Sequence, residues 1–196
     1  MKDREILVLA SSSPRRIEIL KKLGLQFIVR KSEINEVRFK DETPERYVIR
    51  IAFEKAYNVA KKYNENTVIG ADTIVLIDGE ILGKPKNKSE AKNMLMKLSG
   101  REHKVLTGLC LLNSKSKKIL KKVVKSLVII KELTSEEIES YIKTGEPLDK
   151  AGSYAIQGIG AFMVKEIHGS YTNVVGLPVC ELIEMLLEAK AIKRFP

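Results

Sequence analysis

The chain opens on an apolar, β-prone run from Glu5 to Leu9 (EILVL), breaks off in three serines and a proline, and resumes as IEILKKLG with helical spacing. This pattern predicts a strand, a short loop and a helix, with Ile17, Leu20 and Lys21 around one helical face. Ser13 suits the N-cap, Pro14 the first helical position and Gly24 the stop. A short strand from Gln26 to Arg30 follows, then a polar segment, KSEINEVRFKDE. Thr43-Pro44 opens a second helix, ERYVIRIAFEKAYNVAKKY, in which Val48, Ile51, Ala52, Ala56, Val59 and Ala60 recur at helical intervals.

A strongly apolar strand is predicted from Thr67 to Ile77, turned by Asp78-Gly79 into EILGKP. A helix from Ser89 to Leu98 ends at Gly100, and two β segments, Lys104 to Leu112 and Ile119 to Ile130, are joined by the polar turn NSKSKK. Thr134 and Glu137 form a capping box for EEIESYIKT, closed by Gly145. The glycine-rich AGSYAIQGIGAFMVKEIHGSYTNVVGLP reads as short strands and turns, and Pro178 opens a last helix, VCELIEMLLEAK. There is no repeat and no low-complexity linker. The expected class is mixed α/β, with a central sheet and flanking helices.

Composition narrows the functional classes. At 196 residues, 44% apolar and 31% charged, the chain suits one globular domain or two closely joined lobes. No apolar run approaches the ~18 residues of a membrane span, and MKDREILVLA lacks a signal-peptide plan, so a cytoplasmic protein with no membrane partner is expected. Cys110 (GLCLL) and Cys180 (PVCEL) suit buried thiols; His103 and His168 have no ligand-spaced neighbours and are assigned structural or surface roles. The formal charge of +10 raises a nucleic-acid partner. Its lysines are interleaved with glutamates, however, and no base-reading aromatics or finger motif accompany them, so a solvated surface is expected instead.

Several residues remain that a packed core does not call for. In LASSSPRR, Arg15 and Arg16 crowd the positive end of a helix, where cations cost roughly 0.3–1 kcal/mol each; a bound anion would reverse that sign. The stretch reads either as a phosphate cradle, with Ser13 beside the arginines, or as an ordinary capped helix. In VIGADTIVLI, Asp72 interrupts an apolar strand, and a buried carboxylate must be paired, hydrated or bound to a cation. It is a catalytic or metal-associated acid, or a strand-end residue capping a turn. Gly70 permits close approach of a ligand or of another backbone.

Lys84, in GKP, follows the hairpin strand that returns beside Asp72, and reads as an oxyanion ligand or a solvated turn lysine. Glu36 and Lys55 have ready structural readings, a loop carboxylate and a snorkelling helix lysine. Gln157, in DKAGSYAIQG, offers a carboxamide with both donor and acceptor, which could read a base edge on what is otherwise a turn region.

Taken in order, LASSSPRR, FEKA, GADTIV, GKP, LSGREHKVLTG, DKAGSYAIQG and SYTNVVGLP resemble the Maf family, nucleoside triphosphate pyrophosphatases with an inosine-triphosphatase-like fold. The resemblance spans almost the whole chain. It implies a single domain over residues 1–196, with a long mixed β-sheet and flanking helices forming two lobes around a cleft, and frequent homodimers. It also implies hydrolysis of a nucleoside triphosphate between the α and β phosphorus atoms, with Mg²⁺ or Mn²⁺.

Carried onto this chain, Asp72 matches the acid that accepts the proton of the attacking water, and Arg15 and Arg16 match triphosphate ligands, with Ser13 beside them. Glu36, Lys55 and Lys84 match polar residues that assist metal or phosphate, so Asp72 and Glu36 are the implied metal ligands. Arg15, Thr73 and Gln157 fall where the family discriminates bases. The version of the loop with Ile156-Gln157-Gly158 is similar to the branch preferring dTTP and UTP and unlike that acting on 7-methylated GTP, and modified pyrimidine triphosphates are further expected substrates. A house-cleaning role, with a link to arrest of septum formation, would follow. The competing class is a basic nucleic-acid-binding or nucleotide-sensing regulator without turnover.

Overall fold

The computed structural model describes residues 6–63 and 65–194. Seven strands form one mixed sheet: β1 (Leu7–Leu9), β2 (Phe27–Val29), β3 (Thr67–Ile77), β4 (Glu80–Leu82), β5 (Glu102–Asn113), β6 (Lys118–Ile130) and β7 (Val164–His168), in the order β2-β1-β3-β5-β6-β7 with β4 paired to β3. The pairs β1–β2 and β1–β3 are parallel, whereas β3–β4 and β6–β7 are antiparallel. Six helices accompany the sheet: α1 (Pro14–Lys22), α2 (Pro44–Ala60), α3 (Lys88–Leu98), α4 (Ser135–Lys143), α5 (Tyr171–Val175) and α6 (Val179–Glu188). The mixed α/β class expected from the sequence is the class observed. Glu5, the expected start of β1, lies outside the described residues.

The chain divides into two compact units. The first comprises the described residues of Met1–Asp72, with Thr107–Val124 and Gly176–Pro196; the second comprises Thr73–Leu106 and Lys125–Val175.

In the first unit, α2 lies against β3 and β5 at the distance of backbone contact. A Cβ at Gly70 would stand 2.1 Å from the Ala52 carbonyl oxygen, and one at Gly108 would stand 2.3 Å from that of Val48. Gly70 therefore admits a helix backbone. The apolar stripe of α2 is buried as its spacing predicts, with Ala52, Ala56, Val59 and Ala60 against Val8, Val68, Cys110 and Leu112. Thr43 Oγ1 caps the helix by accepting from Arg46 N–H at 3.2 Å.

Helix α1 differs from its expected orientation. Its buried residues are Arg16, Ile19 and Leu20, while Lys21 is exposed, so the inward face is rotated and includes an arginine. Ser13 occupies the N-cap position, yet its side chain makes no capping hydrogen bond. At the other end Gly24 takes φ +65°, the left-handed conformation that lets its N–H reach the Lys21 carbonyl and lets Leu25 N–H reach that of Leu20.

In the second unit, α3 and α4 close a core of Val75, Leu82, Leu95, Val128, Ile138 and Met163, among others. Asp78 and Gly79 both have positive φ, as a type I′ hairpin requires, and the capping box forms as expected, with Thr134 and Glu137 satisfying each other's N–H groups.

The glycine-rich segment departs most from its expected strands and turns. Only Val164–His168 is a strand; Ala151–Ser153 and Ile159–Met163 are short 3-10 helices, and Tyr171–Val175 forms α5 where turns are expected. Its apolar residues follow neither a period of two nor 3.6, so the backbone is settled by turn conformations such as φ +69° at Gly152 and +61° at Ser153.

Candidate active site

In the first unit, the buried face of α2 carries a cation. Lys55 follows Tyr47 and Ile51 at intervals of one turn, all three are buried, and the helix aims the lysine at β3. There Nζ lies 2.8 Å from Asp72 Oδ1 and 2.9 Å from Glu36 Oε1. Asp72 is only 6% exposed, so burial alone would penalise its charge by several kcal/mol; Lys55 supplies the compensating ion. Asp72 does not cap a turn, and Lys55 does not reach out to solvent. Both of those readings are overturned by the ion pair.

Glu36 comes from the polar segment after β2 and is half exposed, so it meets the same ammonium from the solvent side. Residues with no evident sequence signal hold it there. Tyr47 Oη donates to the Glu36 carbonyl at 3.1 Å, and Arg50 Nη2 donates to the neighbouring Val37 carbonyl at 2.9 Å. Arg50 is itself gripped by Glu42 through two hydrogen bonds of 2.6 and 2.7 Å and stacks over Phe39. The Arg50 hydrogen bond holds the Glu42 carboxyl below the ordinary carboxylate range. Burial, with the negative charges of Asp72 and Glu36, pushes the Tyr47 phenol up to about 12. Tyr47 therefore stays a neutral donor at physiological pH.

Arg16 lies in the same unit with its guanidinium buried. Nε donates to the Gly176 carbonyl at 2.7 Å and Nη1 to Ser11 Oγ at 3.2 Å. Burial lowers its pKa, and the negative charge of Asp72 chiefly opposes that effect. Ser11 Oγ also accepts the Ser13 N–H at 3.2 Å, so one hydroxyl ties Arg16 to the start of the helix. Ser13, at the N-cap, and Arg15, on the first turn of α1, are half-buried, and that turn carries no acidic residue of its own.

The remaining expected residues belong to the second unit. Thr73 is half-buried on β3, while Lys84 and Gln157 are exposed. Lys84 stands two residues beyond Leu82, which pairs with Val75. The two loops of this unit are joined, since Gly152 N–H donates to the Gly83 carbonyl at 3.1 Å.

His103 is buried against Tyr154 and His168 is exposed beside Glu166, in keeping with their assigned roles. Cys110 is buried and its thiol pushed up to about 12 by burial, whereas Cys180 is exposed, contrary to expectation, because it lies on the outward face of α6.

Among the described residues no cluster of three or more His, Cys, Asp or Glu could hold a metal, and no helix is long and apolar enough to cross a membrane. The carboxylates of Asp72 and Glu36 converge on one cation, the Lys55 ammonium, each through a single oxygen.

A family model described as Maf-like protein matches residues 6–189. The dTTP/UTP pyrophosphatase of Clostridioides difficile (strain 630) is 50% identical over 190 residues, covering 96% of this chain and 97% of its own. That of Geotalea uraniireducens (strain Rf4) is 47% identical and covers 98% and 100%. The dTTP/UTP pyrophosphatase of Thermoanaerobacter sp. (strain X514) is 50% identical and covers 92% and 94%. Among solved structures, the Ham1 protein of Staphylococcus aureus superposes with a TM-score of 0.51 at 17% identity, over 95% of this chain and 100% of its own, a likeness of fold alone. With a family match over nearly its whole length and relatives at about half identity, the chain belongs to the Maf family.

Proposed function

We propose that this protein hydrolyses dTTP and UTP to the nucleoside monophosphate and pyrophosphate. The observation that carries the reading is the buried Lys55–Asp72 pair, a charged couple that core packing does not need and that a reaction does. The names of its relatives supply the substrate class.

In this reading Asp72 is the general base. Lys55 holds Oδ1 of the carboxylate at 2.8 Å, which assigns the attacking water to Oδ2. As water adds and the bond between the α and β phosphates breaks, one water proton passes to Asp72, and pyrophosphate departs with the bond's electron pair. A nucleoside triphosphate brings about four negative charges, and Arg15, Arg16 and Lys84 are the cations assigned to them, with Ser13 as a further ligand. Asp72 and Glu36 would hold Mg²⁺ or Mn²⁺, which when bound supplies charge neutralisation on the phosphate oxygens. Arg15, Thr73 and Gln157 are assigned to the base. A cytoplasmic homodimer that clears modified pyrimidine nucleotides belongs to the same reading.

The test is a panel of UTP, dTTP, CTP, GTP and 5-methylated pyrimidine triphosphates with Mg²⁺ or Mn²⁺, with products identified. Pyrophosphate and monophosphate from UTP and dTTP are expected. Release of orthophosphate, or nucleotide binding without product, would overturn the assignment.

A further inference from the structure

The second unit contains a half-buried carboxylate that the proposed reaction does not use. Helix α4 ends at Thr144, and Gly145, at φ +77°, reverses the chain so that Glu146 comes back beside Tyr141. Tyr141 Oη donates to Glu146 Oε2 at 2.7 Å. The carboxylate then accepts the N–H of Ile159 at 3.0 Å on Oε1 and that of Gly160 at 2.9 Å on Oε2. The same Tyr141 oxygen accepts the Ala155 N–H at 3.2 Å. One phenol–carboxylate pair therefore pins residues 155–160 at both ends, and Gln157 is the exposed residue between the two attachments.

The fit leaves little room for slippage. A Cβ at Gly158 would stand 1.8 Å from Glu146 Oε1, so a side chain there would push the carboxylate away from the turn. Burial works against the charge on Glu146, and the hydrogen bonds from Tyr141, Gly160 and Ile159 outweigh it, leaving the carboxyl below its ordinary range. It is an ionised acceptor at neutral pH. Two N–H groups at the start of a short surface turn could be satisfied by water; a carboxylate anchored by a buried tyrosine fixes them in one register.

Register matters for what Gln157 is assigned to do. A carboxamide has a donor edge and an acceptor edge, and rotating it exchanges the two. Uracil presents a ring N–H beside a carbonyl, while cytosine presents a ring acceptor beside an amine. A glutamine on a loose turn can therefore satisfy either base, and one on a fixed turn can favour one of them.

We propose that Glu146, held by Tyr141, is a positioning residue that fixes the Gln157 turn and so sets discrimination between uracil and cytosine. The proposal rests on the reading of Gln157 as a base-selecting residue.

Two measurements test it. The first is kcat/KM for UTP and for CTP in wild type, Glu146→Gln, Tyr141→Phe, Gln157→Ala and the Glu146→Gln/Gln157→Ala double variant. Glu146→Gln and Tyr141→Phe are each expected to lower the UTP:CTP ratio by between about two- and tenfold, the span of one hydrogen bond. The double variant is expected to match Gln157→Ala alone, because both changes act on one contact. Equal loss for both nucleotides, or multiplying effects in the double variant, would overturn the proposal.

The second is amide hydrogen exchange at Ile159 and Gly160, expected to quicken in Glu146→Gln. Unchanged protection would also overturn it. Should wild type release no product from UTP, the pyrophosphatase reading fails instead, and the exchange rates still decide whether Glu146 fixes the turn. Tyr141→Phe keeps both measurements available if Glu146→Gln does not fold.

Discussion

The charged groups of the first unit and the exposed groups of the second are held in opposite ways. Lys55 and Asp72 stand on the inward faces of a 17-residue helix and an 11-residue strand, both nearly dry, and each satisfies the other. Lys84 stands in the loop after β4 and Gln157 in a turn, both exposed, and what is held there is neighbouring backbone, at Gly83 through Gly152 in one case and at residues 159–160 through Glu146 in the other. Buried charge fixes a side chain because moving it leaves an unpaired ion, at a cost of several kcal/mol. An exposed side chain has no such restraint, so its position is only as good as the turn beneath it. A reaction step and a recognition step can thus be placed on different kinds of support, and each support fails in its own way.

The largest effect should come from the buried acid. Asp72→Asn keeps the volume and one acceptor oxygen for Lys55, while Glu36 still faces the ammonium, so the fold is expected to persist with little change in melting temperature. Turnover should fall by about 10²–10⁴-fold, the usual contribution of a general base, and equally for UTP and CTP. A change in the UTP:CTP ratio would break the separation between the two supports.

Lys55→Met comes next and reads the same pair through stability. It removes the cation and leaves the Asp72 carboxylate buried, which costs about 3–5 kcal/mol. At about 2–4 °C per kcal/mol for a chain of this size, the melting temperature should drop by roughly 6–20 °C. A drop of the same size in Lys84→Ala, an exposed turn lysine, would contradict the distinction drawn between the two regions.

Much of the first unit could be read from the sequence because its signals are local and periodic. The helical stripe from Val48 to Ala60, the strand from Thr67 to Ile77 and the anomaly of Asp72 within it all appear in the structure as expected. The partner of Asp72 was less legible, because a lysine on a helix is ordinarily a surface residue, and only its place in the Tyr47–Ile51–Lys55 row marks it as inward-facing. Ser11, Tyr47, Arg50 and Glu42 act through hydrogen bonds to residues only five to eleven positions away, but the loops between them are aperiodic, so hydrophobic patterning gives no sign of those contacts. Arg16 was legible as an anomaly but not in its contacts, since the Gly176 carbonyl that it meets is 160 residues away in the chain. The glycine-rich segment was illegible as structure because residues 155–160 are held by Tyr141 of α4 and by Glu146 in the turn that follows it, both outside the segment.

The smallest effect concerns acid, and it separates the two regions without changing any residue that meets substrate. His103 is 2% exposed, with Nε2 at 2.8 Å from Tyr154 Oη and no partner at Nδ1 among the described residues. Burial pushes its pKa from 6.5 down to about 4. Between those values the unfolded chain binds a proton that the folded chain refuses, so stability falls as pH falls, by roughly 3 kcal/mol by pH 4. Below that pH this group adds no further loss. Glu42 and Glu146, whose carboxyls lie below their ordinary value of 4.5, begin to contribute about one pH unit above that value, where the unfolded chain starts to bind their protons. From about pH 6.5 to pH 5.5 the decline therefore belongs to His103, and His103→Gln should flatten the melting temperature across that window. Tyr154 directly precedes the pinned segment, so amide exchange in residues 155–160 should quicken at about pH 5 before exchange along β3 does. A melting curve equally steep in His103→Gln, or exchange that rises first along β3, would show that the turn supporting Gln157 is no more acid-sensitive than the buried pair.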